Sequence, residues 1–326
     1  MAHPLKHTSA GADDLLKSNA FDAVSELSVK TAAEYQDLLT KLQDMPTLPV
    51  IAMKVNELIA DPNATSGDIA AILKQDQVLT AKILRLVNSS YYAVPGGVSD
   101  VQKALAFLGF NTVAQLVLSL SVFSMFSKFG DDSLTMKDFW MHALAVAVCS
   151  EGISKRWNIG KPEEVFTCGL LHDIGKLVIY EVDRDRLTFI LKRAREGKKG
   201  FIEIEREHDL LTHAYIGDMM ATRWGLPQVV RQAIRYHHTE VSKMASLLAS
   251  AKKVIQVVRL ANTIVVKKAN EEGGSEIYGK SGDYSKGVVV AEMLEDLGLG
   301  IDDLTTIEKD LAKAMEKAGA FLNANA

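Results

Sequence analysis

Cysteine and long apolar runs are scarce in this chain of 326 residues. The two cysteines, Cys149 and Cys168, do not form a CxxC motif, so we expect buried reduced thiols rather than a disulfide or a redox pair. The longest apolar run, residues 113–126, is interrupted by Gln115 and three serines. It is shorter than the roughly 20 residues that a membrane-spanning helix needs, and we predict a buried core helix there.

An excess of charge of either sign is also lacking. The chain has 37 Lys and Arg against 41 Asp and Glu, a formal net charge of -4, which offers no electrostatic argument for binding nucleic acid or an anionic membrane. Residues 104–126 contain no basic side chain, so a DNA-binding helix junction at 108–117 would have no phosphate contacts. Residues 1–30 lack the compact apolar stretch of a secretion signal. We therefore expect a cytoplasmic protein with no nucleic-acid or membrane partner.

Apolar residues recur at three- and four-residue spacing along most of the chain, and no stretch alternates strictly like a half-buried strand. This pattern predicts an all-α fold with many helices joined by short loops. Side chains that can cap a helix N-terminus mark several of the predicted starts. These residues are Ser66, Asp76, Ser99, Asn111, Ser133 or Thr135, and Thr212.

The same patterning divides the chain into parts. The predicted parts are a flexible tail at 1–35, one helical domain at 36–268 with halves at 36–128 and 129–268, a loop at 269–287, and helices at 288–326. The tail is mixed and polar, and the loop contains five glycines and few apolar residues. We expect the C-terminal helices, which are amphipathic, to pack on the second half of the domain.

An adjacent histidine and aspartate, His172 and Asp173, stand inside the otherwise apolar stretch at 169–178, which is predicted to be helical throughout. Because desolvating a carboxylate is costly, the pair needs either protein partners or a bound ion. Lys176 lies about one helical turn later, where it could form an ion pair with Asp173 or lie near a bound phosphate. The stretch is therefore the first candidate for a functional site.

Histidines are concentrated around this stretch. Six of the eight lie within about 100 residues, at His142, His172, His208, His213, His237 and His238. Imidazoles and carboxylates from separate helices are a common way to build a metal site. A single histidine is more often a hydrogen-bonded core or surface residue, and His237 with His238 would also suit a helix C-terminus. Spacing alone does not show whether the six converge, so both interpretations stay open at this point.

Several short motifs resemble those of the HDOD domain, the HD-related output domain. In the first half they are MPTLP at 45–49, QDQVL at 75–79, LVNSSYY at 86–92 and ALAFLG at 104–109. In the second half they are WMH at 140–142, GLLHDIGK at 169–176, the stretch at 213–224, LP at 226–227 and HH at 237–238. The resemblance covers about residues 40–265 and departs at Gln77, where the family usually has proline. It implies a multi-helix all-α HDOD fold with an N-terminal helical half and a C-terminal HD-like half.

HDOD domains are similar to the HD superfamily of metal-dependent phosphohydrolases, which includes the HD-GYP cyclic-dinucleotide phosphodiesterases. By this resemblance three residues match the ligands of a first metal, and three histidines match those that hold a second. They are His142, His172 and Asp173, then His213, His237 and His238. Lys176 matches the lysine after the His-Asp pair. The implied cofactor is a divalent transition metal such as Fe, Mn, Ni or Zn.

The match fails at the family's later aspartate, where this chain has Asn262. An amide oxygen can coordinate a metal but brings no negative charge, and the Gly-Tyr-Pro signature is absent after His238. We therefore predict a non-catalytic output or scaffold module in signal transduction, with a metal or nucleotide pocket and with a nucleotide or a signalling protein as partner. The alternative is a metal-dependent phosphohydrolase or cyclic-dinucleotide phosphodiesterase of HD type, with Asp173 and Lys176 as catalytic residues.

Overall fold

The computed structural model describes residues 29–89, 92, 94–126, 136–197, 199–271 and 287–325. Within these residues all regular secondary structure is helical and no strand occurs, which confirms the predicted all-α fold. In the described part of the chain, no single helix is both long and apolar enough to cross a membrane. Two consecutive helices meet that requirement only as a pair, and they are bent by 118° relative to each other.

The first half is organised around one long buried helix. Its helices are α1 (Val29–Asp44), α2 (Val50–Ala60), α3 (Ser66–Leu73), α4 (Gln77–Val87), α5 (Val101–Leu108) and α6 (Phe110–Phe126). Every residue of α6 from 113 to 122 is buried, so the prediction of a core helix is confirmed. Helices α2 and α4 pack against it.

The second half carries the histidines. Its helices are α7 (Met136–Trp157), α8 (Pro162–Leu171), α9 (Ile174–Val182), α10 (Arg184–Gly197), α11 (Phe201–Glu207), α12 (His213–Arg223), α13 (Gln228–Tyr236), a 3-10 turn (Val241–Lys243) and α14 (Ala249–Glu271). Helix α8 packs between α7 and α13 and also reaches α6. There Thr167 donates a buried hydrogen bond of 2.7 Å to Gln115, which joins the two halves. Cys149 and Cys168 are free and buried, as predicted.

Helices also occur near both ends of the described chain. Helix α1 begins at Val29, and its Tyr35 is buried. Helix α14 continues to Glu271, while residues 1–28 and 272–286 lie outside the described residues. The last helices are α15 (Gly287–Leu297) and α16 (Ile301–Asn325). Helix α15 packs on α14, and α16 packs on α7 and also on α4 of the first half.

Two of the predicted N-caps are confirmed. The Asp76 carboxylate accepts a hydrogen bond from the backbone N–H of Leu79, and the Thr212 hydroxyl accepts one from the N–H of Tyr215. Each side chain thereby satisfies an N–H group that the first helical turn leaves without an intrahelical partner. The alternative caps at 133 and 135 lie outside the described residues.

The remaining predicted N-caps were wrong, two of them by a single position. Thr65 caps α3 in place of Ser66, and Asp100 caps α5 in place of Ser99. Both observed caps have the extended backbone that the position requires, and sequence does not distinguish two adjacent residues that are each able to cap. Asn111 lies inside α6, which begins directly after the turn at Gly109.

Candidate metal centre

The His-Asp pair lies in a break between two helices. Helix α8 ends at Leu171 and α9 begins at Ile174, so the prediction that 169–178 is helical throughout was wrong. Asp173 has φ −100° and ψ 10°, a sparsely populated backbone conformation that interrupts the helix. The spacing of apolar residues does not reveal this break, because the residues of the two helices that flank it are buried. The turn holds the His172 and Asp173 side chains inside the protein.

One oxygen of the Asp173 carboxylate faces two histidines and a lysine. Its Oδ2 atom lies 3.3 Å from Nε2 of His172 and 3.8 Å from Nε2 of His142. The same oxygen forms an ion pair of 2.7 Å with Nζ of Lys176. Of the two interpretations of Lys176, the structure therefore shows the ion pair with Asp173.

The other carboxylate oxygen faces three more histidines. Asp173 Oδ1 lies 3.2 Å from Nε2 of His213 and 3.4 Å from Nε2 of His237. Nε2 of His213 is also 3.1 Å from Nε2 of His238 and 3.4 Å from Nε2 of His237. Asp173 therefore lies at the centre of two overlapping groups, in each of which all ligand atoms are within 4.8 Å of one another.

Of the two remaining candidate residues, Asn262 lies beside the cluster and His208 does not. Asn262 is buried on α14, and its carboxamide interacts with the His142 side chain, so it does stand beside the cluster. His208 does not join the cluster, because its ring packs edge-on against Phe189 with the ring centroids 4.9 Å apart. The structure thus brings together the six residues that the family resemblance implied as metal ligands, with Asn262 beside them. Their role as ligands stays a prediction.

Hydrogen bonds to backbone carbonyl groups orient two of the imidazole rings. Nδ1 of His172 lies 2.7 Å from the backbone carbonyl of Gly169, and Nδ1 of His237 lies 2.8 Å from that of Ile234. Because these acceptors require a proton on Nδ1, each ring turns the lone pair of its Nε2 atom toward Asp173. Neutral imidazoles fixed in this way are prepared to act as metal ligands.

Glu205 orients His213 and was not predicted from the sequence. Its carboxylate, fully buried on α11, lies 2.7 Å from Nδ1 of His213 and accepts a second hydrogen bond of 2.7 Å from the backbone N–H of the same residue. The only sequence signal was an acid among the apolar residues of α11, eight positions before His213. A carboxylate behind a ligating histidine is a frequent feature of metal sites, because it fixes the tautomer and increases the basicity of the ring.

Comparisons with known proteins show the family to which the chain belongs. The HDOD domain matches residues 45–240, which is more than half of the chain. The chain belongs to the HDOD family. It is 25% identical over 214 residues to an uncharacterised protein of Treponema pallidum (strain Nichols), a match covering 65% of this chain and 41% of that protein. The HDOD chain thus spans less than half the length of the curated relatives that it matches.

Two crystal structures have the same HDOD fold. One is an HDOD domain protein of Geobacter sulfurreducens, with a TM-score of 0.71 and 21% identity over 94% of this chain and 98% of that one. The other is a proposed phosphohydrolase of Shewanella amazonensis SB2B, with a TM-score of 0.67 and 24% identity over 87% of this chain and 98% of that one. At these identities the likeness shows the fold alone.

The electrostatics of the HDOD cluster favour the ligand forms of its residues. Burial lowers the pKa of His142 and His238 well below the usual value and lowers the pKa of His237 to about 3. Burial would raise the pKa of Asp173, but the charges of His172 and Lys176 outweigh it and lower that pKa. These shifts favour an ionised Asp173 beside neutral His142, His237 and His238, which are the protonation states that metal binding requires.

His213 differs from the other histidines. Burial disfavours its imidazolium form, but the charge of Glu205 and the hydrogen bond to Asp173 outweigh burial and raise its pKa. A metal cation bound at Nε2 would take the place of the proton between the ring and Asp173, while Glu205 would keep its hydrogen bond at Nδ1. The ring is therefore held where a positive charge is stabilised, whether a proton or a metal supplies it.

The donor set fits a divalent transition metal. Nε2 of His172 and Oδ1 of Asn262 are buried without a hydrogen bond of normal geometry, so a cation would satisfy these two acceptors. Imidazole and carboxylate ligands suit Fe, Mn, Ni and Zn. Because Lys176 already neutralises Oδ2 of Asp173, the group around Oδ1 is the stronger of the two candidates. That group consists of Asp173, His213, His237 and His238.

Proposed function

We propose that this HDOD protein is a non-catalytic output or scaffold module of signal transduction whose histidine cluster holds a divalent transition metal within the core. The observation that carries the proposal is the burial of the cluster. His172 and His213 have 0% of their surface exposed, and Asp173 and His237 have 1%. A hydrolase must bring a phosphate group and a water molecule against its metal, whereas in this cluster only His238 is partly exposed.

The position of Lys176 also supports a non-catalytic role. Its ammonium group is buried, paired with Asp173 at 2.7 Å, and lies 5.1 Å from the centroid of the Phe201 ring. A lysine held in this way compensates the buried carboxylate and is not presented to a phosphate. Asn262 adds to the difference from a hydrolase, because it leaves the cluster without a second carboxylate to help polarise a bound water.

In the proposed role the metal has a structural effect. Its ligands come from α12, from the end of α13 and from the turn between α8 and α9, three segments that are far apart in sequence. A metal bonded to all of them would join these segments and stabilise the face of the domain that they form. We propose that this face passes a signal from a nucleotide or a signalling protein, inside the cytoplasm and without nucleic acid or membrane.

Elemental analysis together with activity assays tests the proposal. The full chain is purified without oxygen, its metal content is measured by mass spectrometry, and it is assayed with Mn²⁺ or Fe²⁺ against cyclic dinucleotides and a generic phosphodiester. We expect a bound transition metal, loss of that metal in His237→Ala, a lower melting temperature after chelation, and no turnover. Turnover that disappears in His172→Ala would overturn the non-catalytic role, and a metal-free protein would overturn the metal site.

The alternative function is a metal-dependent phosphohydrolase, specifically a cyclic-dinucleotide phosphodiesterase of HD type. The observation that favours it is the convergence of two ligand groups on Asp173, since two metals can clamp a phosphodiester. In that case Asp173 and Lys176 would be catalytic residues, and substrate would have to enter at His238. The same assays distinguish it from the first proposal, because only the alternative predicts turnover.

A further inference from the structure

We propose that a second site, lined by residues of α12 and α13 outside the histidine cluster, binds a nucleoside phosphate. This site is an open cavity of about 430 Å³, a volume within the range of small-molecule pockets. It is formed by α12 and α13 together with residues of α1 and of the segment before α14. The lining residues that carry the proposal are Tyr35, Tyr215, Asp218, Arg231, Arg235 and Gln232.

Two arginines form the part of the cavity that would take a phosphate group. Arg231 and Arg235 are one helical turn apart on α13, so their side chains emerge on the same face. Only one acid, Asp218, lines the cavity with them, and its Oδ1 atom is 3.5 Å from Nε of Arg231. The three side chains leave an excess of one positive charge. Burial raises the pKa of Asp218, while the charges of Arg231 and Arg235 oppose that rise.

Asp218 holds Arg231 only loosely. The Nε atom of Arg231 is buried and lies 3.5 Å from Oδ1 of Asp218, which is longer than a normal hydrogen bond. A phosphate oxygen in the cavity would offer this donor a shorter, charge-assisted hydrogen bond. Guanidinium groups match the geometry of phosphate through two parallel hydrogen bonds, which a lysine could not provide.

Aromatic and amide groups form the part of the cavity that would take a base. The guanidinium of Arg235 lies 3.7 Å from the ring centroid of Tyr215, and Tyr35 packs edge-on against the same ring at 6.0 Å. A nucleobase can stack on such planar groups, and the side-chain amides of Gln228 and Gln232 offer donors and acceptors to its edge. An inorganic anion would use the arginines but not these groups. The combination therefore selects a nucleoside phosphate.

The cavity and the histidine cluster share two helices. Helix α12 carries His213 in the cluster and Asp218 in the cavity, and α13 carries both arginines and leads directly into His237. A ligand in the cavity would thus contact the helices that position the cluster, which gives the module an input site. The inference goes beyond the proposed function and holds whether or not the cluster is catalytic.

Isothermal titration of the full chain tests this site. The probes are AMP, GMP, CMP and UMP, with inorganic phosphate as the reference anion. We expect saturable binding of at least one nucleotide, at least about tenfold tighter than that of inorganic phosphate, because stacking on aromatic groups adds to the phosphate contacts. No saturable binding at millimolar nucleotide would overturn the proposal. Equal affinity for phosphate alone would overturn the assignment of a base.

Two separate variants locate the site. Arg231→Gln and Arg235→Gln should each weaken nucleotide binding by about tenfold or more, since each removes a charge-assisted hydrogen bond. Because both arginines are partly exposed, we expect both variants to fold, and circular dichroism checks this for each of them. Arg193→Gln, an exposed arginine of α10 outside the cavity, is the matched control and should bind as the parent does. Unchanged affinity in either folded cavity variant would place the nucleotide elsewhere and overturn the proposal.

Discussion

Replacing the carboxylate behind His213 tests whether that histidine is a metal ligand. Glu205→Gln keeps the size of the side chain but replaces one of its two acceptor oxygens with an NH₂ group. In the parent protein those two oxygens accept from the backbone N–H and from Nδ1 of His213, so the variant loses one of these two acceptors. The ring can satisfy the new NH₂ group by accepting at Nδ1, and its proton then moves to Nε2. That N–H would point at Asp173, 3.2 Å away, where metal binding requires a lone pair.

The substitution should change both the stability of the metal-free chain and its affinity for metal. Loss of a charged acceptor in a fully buried position lowers the free energy of unfolding of the metal-free chain by about 1–3 kcal/mol. The affinity for metal should fall by about 10- to 100-fold, since a group that orients a ligating histidine typically has an effect of that size. The metal-bound protein is therefore expected to lose more stability than the metal-free protein does, because weaker binding adds to the direct cost.

The assay pairs chelator competition with urea unfolding of the metal-free and metal-bound protein. Glu207→Gln is the control on the same helix, because its carboxylate is at the surface and pairs with Lys199. Its effect on stability should be less than about 1 kcal/mol, and its metal affinity should equal that of the parent. Unchanged metal affinity in Glu205→Gln, with the expected loss of stability, would refute the reasoning that Glu205 holds His213 as a ligand.

Gly175→Ala should lower the free energy of unfolding by about 3 kcal/mol in urea denaturation and weaken metal binding, because the added Cβ would lie 1.8 Å from the backbone oxygen of His213. Gly152→Ala is the control, and its effect on stability should have the opposite sign. Because no atom lies within 4 Å of the new Cβ, the free energy of unfolding should rise by about 0.5–1 kcal/mol. A loss of stability in this variant would contradict the packing argument. Asn262→Asp should raise metal affinity in the chelator assay, because a charged oxygen replaces an amide oxygen beside His142; equal affinity would show that Asn262 does not contribute to the site.

Local sequence signals were sufficient for much of the fold. The spacing of apolar residues predicted the helices, and a cap such as Asp76 was found because its partner is the N–H three residues later. Adjacent capping residues were confused, as at Ser66, because both offer the same hydroxyl or carboxyl chemistry to the same turn. The break after Leu171 was missed for a related reason, since buried helices on both sides continue the apolar pattern without interruption.

The residue types of the candidate site were also predicted, whereas its environment was not. His172 and Asp173 attracted attention as polar neighbours in an apolar stretch, and the family resemblance added the remaining histidines. Glu205 was missed because its relation to His213 depends on how α11 packs against α12, and no motif records that contact. The cavity beside Arg231 was missed as well, because its lining comes from helices far apart in sequence.

The sequence by itself determined the helical class, the HDOD family and the chemical identity of the clustered side chains, because these depend on periodicity and on motifs within a few residues. Only the tertiary structure decided that the histidines meet at Asp173, that Lys176 is bound to that carboxylate, and that the cluster is almost closed to solvent. Those properties arise from packing between helices separated by tens of residues. Burial then sets the protonation of the imidazoles, and with it the chemistry that the cluster can perform.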